Sequence, residues 1–383
     1  MTRPRYAAAL LALSAFAASA CSDEHGTEGG AVDVQISGER AATDGFSFPS
    51  GSEVTFLDGW ELRFTHVLVT VSDVTLSENP DKAPADQSQT DAPVARLAGP
   101  WAVDLAVPGS VAAAGGEGSA IPLARITGQN LRADEPFAND ERYAFGYHVA
   151  PAAADAAHVN FAGDAATEAL YARMIERGYT VLYAGTATYR GKDCVTSELD
   201  YDFTRLPASF PFELGFATPT RYENCQNQEN QGAPFEGEEY QRGIAVLANQ
   251  AALAQITLHL EHPFFSDTVH DSPVYFDQLA ARLAGAPPGT TLESESLAAV
   301  DPTAFTDARG DRLPWRQCLA GQELPQSRQR GFGVGHVLVD RAGDPRETFR
   351  SYLDLVSYLV STQGHLNGGE GLCYVNRGYP SPP

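Results

Sequence analysis

Positive charge is scarce in this chain. Its 383 residues carry 26 lysines and arginines against 49 aspartates and glutamates, a formal net charge of -23. A surface this acidic repels nucleic acid and anionic lipid head groups and attracts cations, so nucleic acid is not expected among its partners. Methionine is nearly absent: Met174 is the only one beyond residue 1, and it falls on the apolar face of a predicted helix, which argues against a thioether site for copper(I). The common enzyme signatures are missing too. There is no H-E-x-x-H, G-x-S-x-G, P-loop or G-x-G-x-x-G, and "HLEH" and "GFGVGH" have the wrong spacing for any of them. Carboxylate groups such as Asp200 with Asp202, or Glu236, Glu238 and Glu239, read as solvated charges, which places a hydrolase third among the functions considered. Beyond the N-terminus no run is apolar enough to span a bilayer as a helix.

Glycine (35) and proline (25) are plentiful while charged residues make up only 20%, a balance that favours short strands and turns over long helices. From Val32 onward, "VDVQISG", "SEVTFLDGWELRFTHVLVTVSDVTLSE", "WAVDLAVPG", "YAFGYHVAPA", "YTVLYAGTATYR" and "FPFELGFAT" alternate or are enriched in β-branched residues. In the longest of these, strict alternation places Phe64, His66, Leu68, Thr70, Ser72 and Val74 on one face and Val67, Val69, Val71, Asp73 and Thr75 on the other. One helix is expected inside this region, "DAATEALYARMIERG", with Asp164 as N-cap and Gly178 as stop. Three more are expected after it: one opened by Ser272-Pro273, one with a Thr290/Glu293 capping box, and a long one capped at Asp344-Pro345 and ended by Gly364. The fold class is therefore mainly β, an antiparallel β-sandwich over residues 32–268 with a helical C-terminal extension over 269–383 packed on it.

The first residues, MTRPRYAAALLALSAFAASAC, pair two arginines with a short apolar core and small residues, the pattern of a secretory signal peptide over 1–20. Ala18-Ser19-Ala20 suits ordinary signal peptidase, while Ala18-Ser19-Ala20-Cys21 resembles the lipobox of bacterial lipoproteins. The chain has five cysteines, so lipidating Cys21 leaves an even four, and this favours the lipoprotein route. Residues 21–31, polar and glycine-rich, then read as a lipidated tether. Ser22 resembles the signal for outer-membrane sorting, so the expected location is the cell envelope, anchored to the outer membrane and facing the periplasm or cell surface. Of the three pairings open to Cys194, Cys225, Cys318 and Cys373, Cys194 with Cys225 and Cys318 with Cys373 is favoured, because each bond would close within one region.

"ITLHLEHPFFSD" carries His259 and His262 at the end of a buried strand. Residues three apart on a continuous strand point to opposite faces, so the two can share an ion only if the strand ends between them, and Pro263 favours such an ending. A second cluster, "STQGHLNGGEGLC", places His365 and Glu370 in a glycine-rich loop that can bring backbone close to a ligand or a neighbouring strand. His259, His262, His365 and Glu370 are the right ligand types for zinc or copper(II), with His270 nearby in sequence. The ordinary alternative is that these histidines finish strands and bind nothing. Trp60, Trp101 and Trp315 are more often core anchors than sugar platforms.

The segments "DGWELRFTHVLVTVSDVTLSE", "ARLAGPWAVDLAVPG" and "GTATYRGKDC" resemble uncharacterised bacterial lipoproteins and, more distantly, the β-sandwich family of periplasmic copper-binding proteins associated with methanobactin. That resemblance covers Val32 to His262 and implies a β-sandwich with copper or zinc binding. The leading expectation is a non-enzymatic, lipid-anchored envelope protein that binds a transition-metal ion. Its rival is a surface module that recognises protein or glycan without metal.

Overall fold

The segments rich in β-branched and aromatic residues form strands in the computed structural model, which describes residues 29–49, 54–196, 201–266, 272–299, 316–318, 351–369 and 371–378. In chain order the first are β1 (Ala31–Ser37), β2 (Trp60–Ser77), β3 (Pro93–Leu97), β4 (Trp101–Asp104), β5 (Val111–Ala112) and β6 (Ser119–Ile126). Next come β7 (Glu141–Val149), β8 (Ala157–Val159), β9 (Val181–Tyr189), β10 (Val195–Thr196), β11 (Ser209–Phe216) and β12 (Thr220–Glu223). The last are β13 (Ile244–Val246), β14 (Ala251–Leu258), β15 (Leu292–Glu293), β16 (Arg316–Gln317), β17 (Gly364–Leu366) and β18 (Tyr374–Arg377). The α-helices are α1 (Glu39–Asp44), α2 (Ala165–Arg177), α3 (Asp277–Ala280) and α4 (Tyr352–Val360).

The two larger sheets among the described residues are open and share one core, and β10 and β16 form a third, two-stranded one. Of the two that share the core, the smaller runs β17-β14-β1-β6-β5, and the larger is built on the path β15-β11-β9-β2-β7-β12-β18. Most pairs are antiparallel, but β1 with β14, β4 with β8 and β11 with β15 run parallel, so both sheets are mixed. Val32, Val34 and Ile36 of β1 and Ile256 and Leu258 of β14 pack in the same buried cluster as Val67, Val69 and Val71 of β2. The opposite face of β2 is covered as well. Leu68 and Leu182 pack against Tyr171 and Met174 of α2, which starts on the Asp164 carboxylate and stops at Gly178 in the left-handed region, as its sequence implies.

The strict alternation expected of β2 does not hold at either end. Phe64 and Val74 join the Val67, Val69 and Val71 side of the strand. The register shifts between Phe64 and His66 and again between Ser72 and Thr75, where Asp73 takes φ 49. Each bulge inserts a residue and exchanges the faces beyond it.

Among the described residues, the C-terminal region is built into the sheets as well as packed on them. It contributes β15, β17 and β18 to the two sheets. The helix expected from Asp344-Pro345 instead begins after Ser351, an extended residue whose hydroxyl accepts from the Asp354 N–H; residues 344–350 lie outside the described ones. The supposed Thr290/Glu293 capping box is a short strand at Leu292–Glu293 followed by a 3-10 turn.

The disulfides correct the expected pairing: they join Cys194 to Cys318 and Cys225 to Cys373. The reason lies in the sheets. Cys194 and Cys318 flank the β10/β16 pair, and Cys225 and Cys373 flank the β12/β18 pair, so the extension is cross-linked to the sandwich and not to itself. Loops spanning 124 and 148 residues are closed in this way. In the chain-entropy model each closure stabilises the fold by about 5 kcal/mol.

Candidate metal centre

Strand β14 ends at Leu258, one residue before His259, and the chain turns at once into a 3-10 helix, His262–Phe264, with Pro263 in its first turn. The strand thus ends before both histidines, and not between them as Pro263 suggested, and in the turn their side chains are free of the alternation that would separate them. Across the ladder, β17 pairs with β14 in the register Thr257 to His365, which brings the third histidine to the same end of the sheet. The N–H of His259 donates to the Gln363 carbonyl at 2.9 Å and continues that contact past the strand's end.

His259, His262 and His365 each offer a ring nitrogen within 4.8 Å of the other two. An ion held at about 2.0–2.1 Å by each would draw the nitrogens to roughly 3.4 Å apart, an adjustment within reach of side-chain rotation. His365 is fully buried, His262 is 1% exposed and His259 is 9% exposed. The rings of His259 and His365 stack at 4.3 Å, and that of His262 stands edge-on to both at 5.7 Å. Of the four ligands expected from the sequence, these three converge. Glu370, His270 and Cys21, the residue expected to be lipidated, lie outside the described residues.

One tautomer can be read from the hydrogen bonds. The Thr362 hydroxyl donates to the Leu359 carbonyl at 2.7 Å, so it accepts from Nδ1–H of His262 at 2.8 Å. The lone pair of His262 is therefore on Nε2, the form in which a neighbouring oxygen orients a ligand histidine.

Gly364 holds the site in place. A Cβ there would come within 2.4 Å of the Tyr147 hydroxyl and 2.5 Å of the Tyr222 ring, so only glycine lets β17 lie on these two tyrosines. Their rings stack at 4.8 Å; Tyr222 donates to the Ser361 carbonyl and Tyr147 to that of His365. Tyr183 donates to the Gln363 side chain. Burial pushes the Tyr147 and Tyr183 phenols well above their ordinary range, so both stay neutral donors.

The thiol and thioether chemistry set aside on sequence grounds does not enter here. All four described cysteines are in disulfides, and Met174 is on the buried face of α2, packed with Leu68 and Leu182. Other polar candidates have structural roles: Asp202 caps a short turn through the Thr204 N–H, and Glu238 pairs with Arg242. Asp200 and Trp315 lie outside the described residues. Trp60 is fully buried and donates its indole N–H to Asp277 at 2.8 Å, so it presents no platform to a sugar.

Sequence reading missed two features. Glu39, the first residue of α1, lies 3.6 Å from Nε2 of His259; no local pattern marks it, because its place depends on β1 lying beside β14. The second is a buried cluster in which Asp58 accepts the N–H groups of Phe276 and Asp277, both at 2.6 Å. There Asp277 receives two bonds from Arg316, at 2.6 and 3.1 Å.

No protein-family model, curated protein or solved structure matches the chain. The functional reading therefore stands on this geometry. The class it defines is a mainly β protein, cross-linked by two disulfides as in an exported protein, with three buried histidines close enough to hold a metal ion. Among the described residues no helix is long and apolar enough to cross a membrane.

Proposed function

We propose that this is a lipid-anchored protein of the bacterial cell envelope that binds a transition-metal ion through His259, His262 and His365 without turning over a substrate. One observation carries the reading: the end of one strand, the 3-10 turn after it and the neighbouring strand bring three imidazoles to one buried point. Imidazole suits zinc and copper, the two ions the sequence resemblance also favours. The even number of cysteines left once Cys21 is lipidated, all four of them disulfide-bonded, supports export and the lipoprotein route.

Elemental analysis of the processed protein by plasma mass spectrometry, beside a His259→Ala/His365→Ala variant, tests this. Near-stoichiometric zinc or copper that is absent from the variant is expected. A wild type that carries no metal and takes up neither ion when supplied would overturn the reading. Lipidation is tested separately: a Cys21→Ser chain should leave the membrane fraction.

A further inference from the structure

We propose that the histidine centre takes a divalent cation, and that Glu39 and Glu261 are the residues that set this preference; the proposal rests on the metal-binding reading above. The backbone places both carboxylates. Strands β1 and β14 run parallel and their ladder ends at Ser37 and Thr257; two residues beyond these ends stand Glu39, the first residue of α1, and His259. Glu39 reaches its place with φ +56, a conformation that L-residues other than Asn and Asp seldom adopt, and its N–H is held by the Ser37 hydroxyl at 2.9 Å. Glu261 stands in the turn between His259 and His262.

The two carboxylates address the two nitrogens of one ring. Glu39 Oε1 lies 3.6 Å from His259 Nε2, and Glu261 Oε1 lies 4.0 Å from His259 Nδ1. Both side chains are largely buried, 15% and 14% exposed. Whichever nitrogen meets the ion, one carboxylate stands on the ion's side of the ring. The other stands behind it, facing the remaining N–H, where it orients the ligand and raises its basicity.

The charge count then distinguishes ions. Three neutral imidazoles bring no charge, and two carboxylates bring two negative ones. A dication leaves these groups balanced, whereas a monocation leaves one negative charge uncompensated in a largely buried site, where such a charge is costly. Oxygen donors beside the site act in the same direction, since carboxylate suits zinc and copper(II) while copper(I) prefers sulfur.

The test measures dissociation constants for zinc(II) and for copper(I) by chelator competition. It uses the processed wild-type protein, Glu39→Gln, Glu261→Gln and the double variant, with circular dichroism of each apo form as the folding control. The double variant should bind zinc(II) about 10–100-fold more weakly, with a much smaller change for copper(I). The visible spectrum of bound cobalt(II) should shift, which a purely structural role would not produce. Equal losses for both ions, or unchanged zinc(II) affinity, would overturn the proposal and leave the histidine site standing. A wild type that binds neither ion would instead remove the metal reading on which it rests. Should the double variant fail to fold, the same comparison is made on the two single variants.

Discussion

Two of the buried polar clusters among the described residues differ in kind. In the Asp58, Asp277 and Arg316 cluster, opposite charges meet and close on one another. Arg316 forks onto Asp277 and lies over the Tyr189 ring at 3.7 Å, and Trp60 completes the shell of Asp277. The histidine cluster gathers three groups of the same kind, whose shared chemistry is to give an electron pair to an acceptor. A cluster that compensates itself reads as structure; one that repeats a single donor reads as a receptor for something else. Each also lies beside one disulfide. Cys318 is two residues from Arg316, and Cys373 follows Leu372, which bridges to His365.

The contrast can be broken most strongly at Arg316. Replacing it in Arg316→Leu leaves the buried Asp277 carboxylate without its cation, and loss of one partner of a buried pair costs about 3–5 kcal/mol. Denaturant unfolding should show this loss, while zinc or copper stoichiometry of the folded fraction stays at the wild-type value. Loss of metal together with stability would show that the two clusters form one unit. A route for such coupling exists, because the Tyr275 N–H donates to the Phe264 carbonyl and Phe264 packs on Phe276, linking the turn of His262 to Asp277.

Gly364→Ala acts on the other cluster. Its added methyl must displace Tyr147 or Tyr222, an overpacking penalty of about 1–3 kcal/mol. Because His365 follows directly, metal affinity should fall more than this modest stability loss alone would produce. Isothermal titration beside thermal unfolding separates the two, and an unchanged metal affinity would show that the tyrosine floor does not position His365.

Much of this architecture was legible in the sequence, and the exceptions share a cause. The strand segments, α2 with its Asp164 cap, and the choice of His259, His262 and His365 as ligand types follow from local signals, alternation, capping residues and residue chemistry, whereas the meeting of His365 with the other two comes from the pairing of β17 with β14. The disulfide pairing, the face of Val74 and the place of Glu39 depend on which strands lie side by side and on where a bulge inserts a residue. Cys318 pairs with Cys194 because β16 returns to β10, a contact across more than a hundred residues that no window around either cysteine reveals. Arg316 was invisible for the same reason: an arginine in "PWRQC" declares its purpose only when Asp277 is beside it.

The finest test of the comparison concerns a proton. Burial, reinforced by the negative charge of Asp277, pushes the Asp58 carboxyl well above its ordinary 3.8. Burial pushes Asp277 upward too, but Arg316 opposes it, so Asp58 is the member that holds the proton. Its Oδ2 accepts the two backbone N–H groups, and among the described residues its buried Oδ1 has no partner, which marks Oδ1 as the protonated atom. Because the folded state keeps this proton at pH values where the unfolded chain has released it, the associated stability is present at low pH. It is lost as pH rises from 3.8 through the raised value. Asp58→Asn keeps an oxygen for both backbone donors and cannot ionise, so its stability relative to wild type should improve steadily over that rise. Thermal unfolding from acid to neutral pH measures the difference, and a difference that does not change with pH would mean that Asp58 is ionised in the folded protein and that Arg316 compensates both carboxylates.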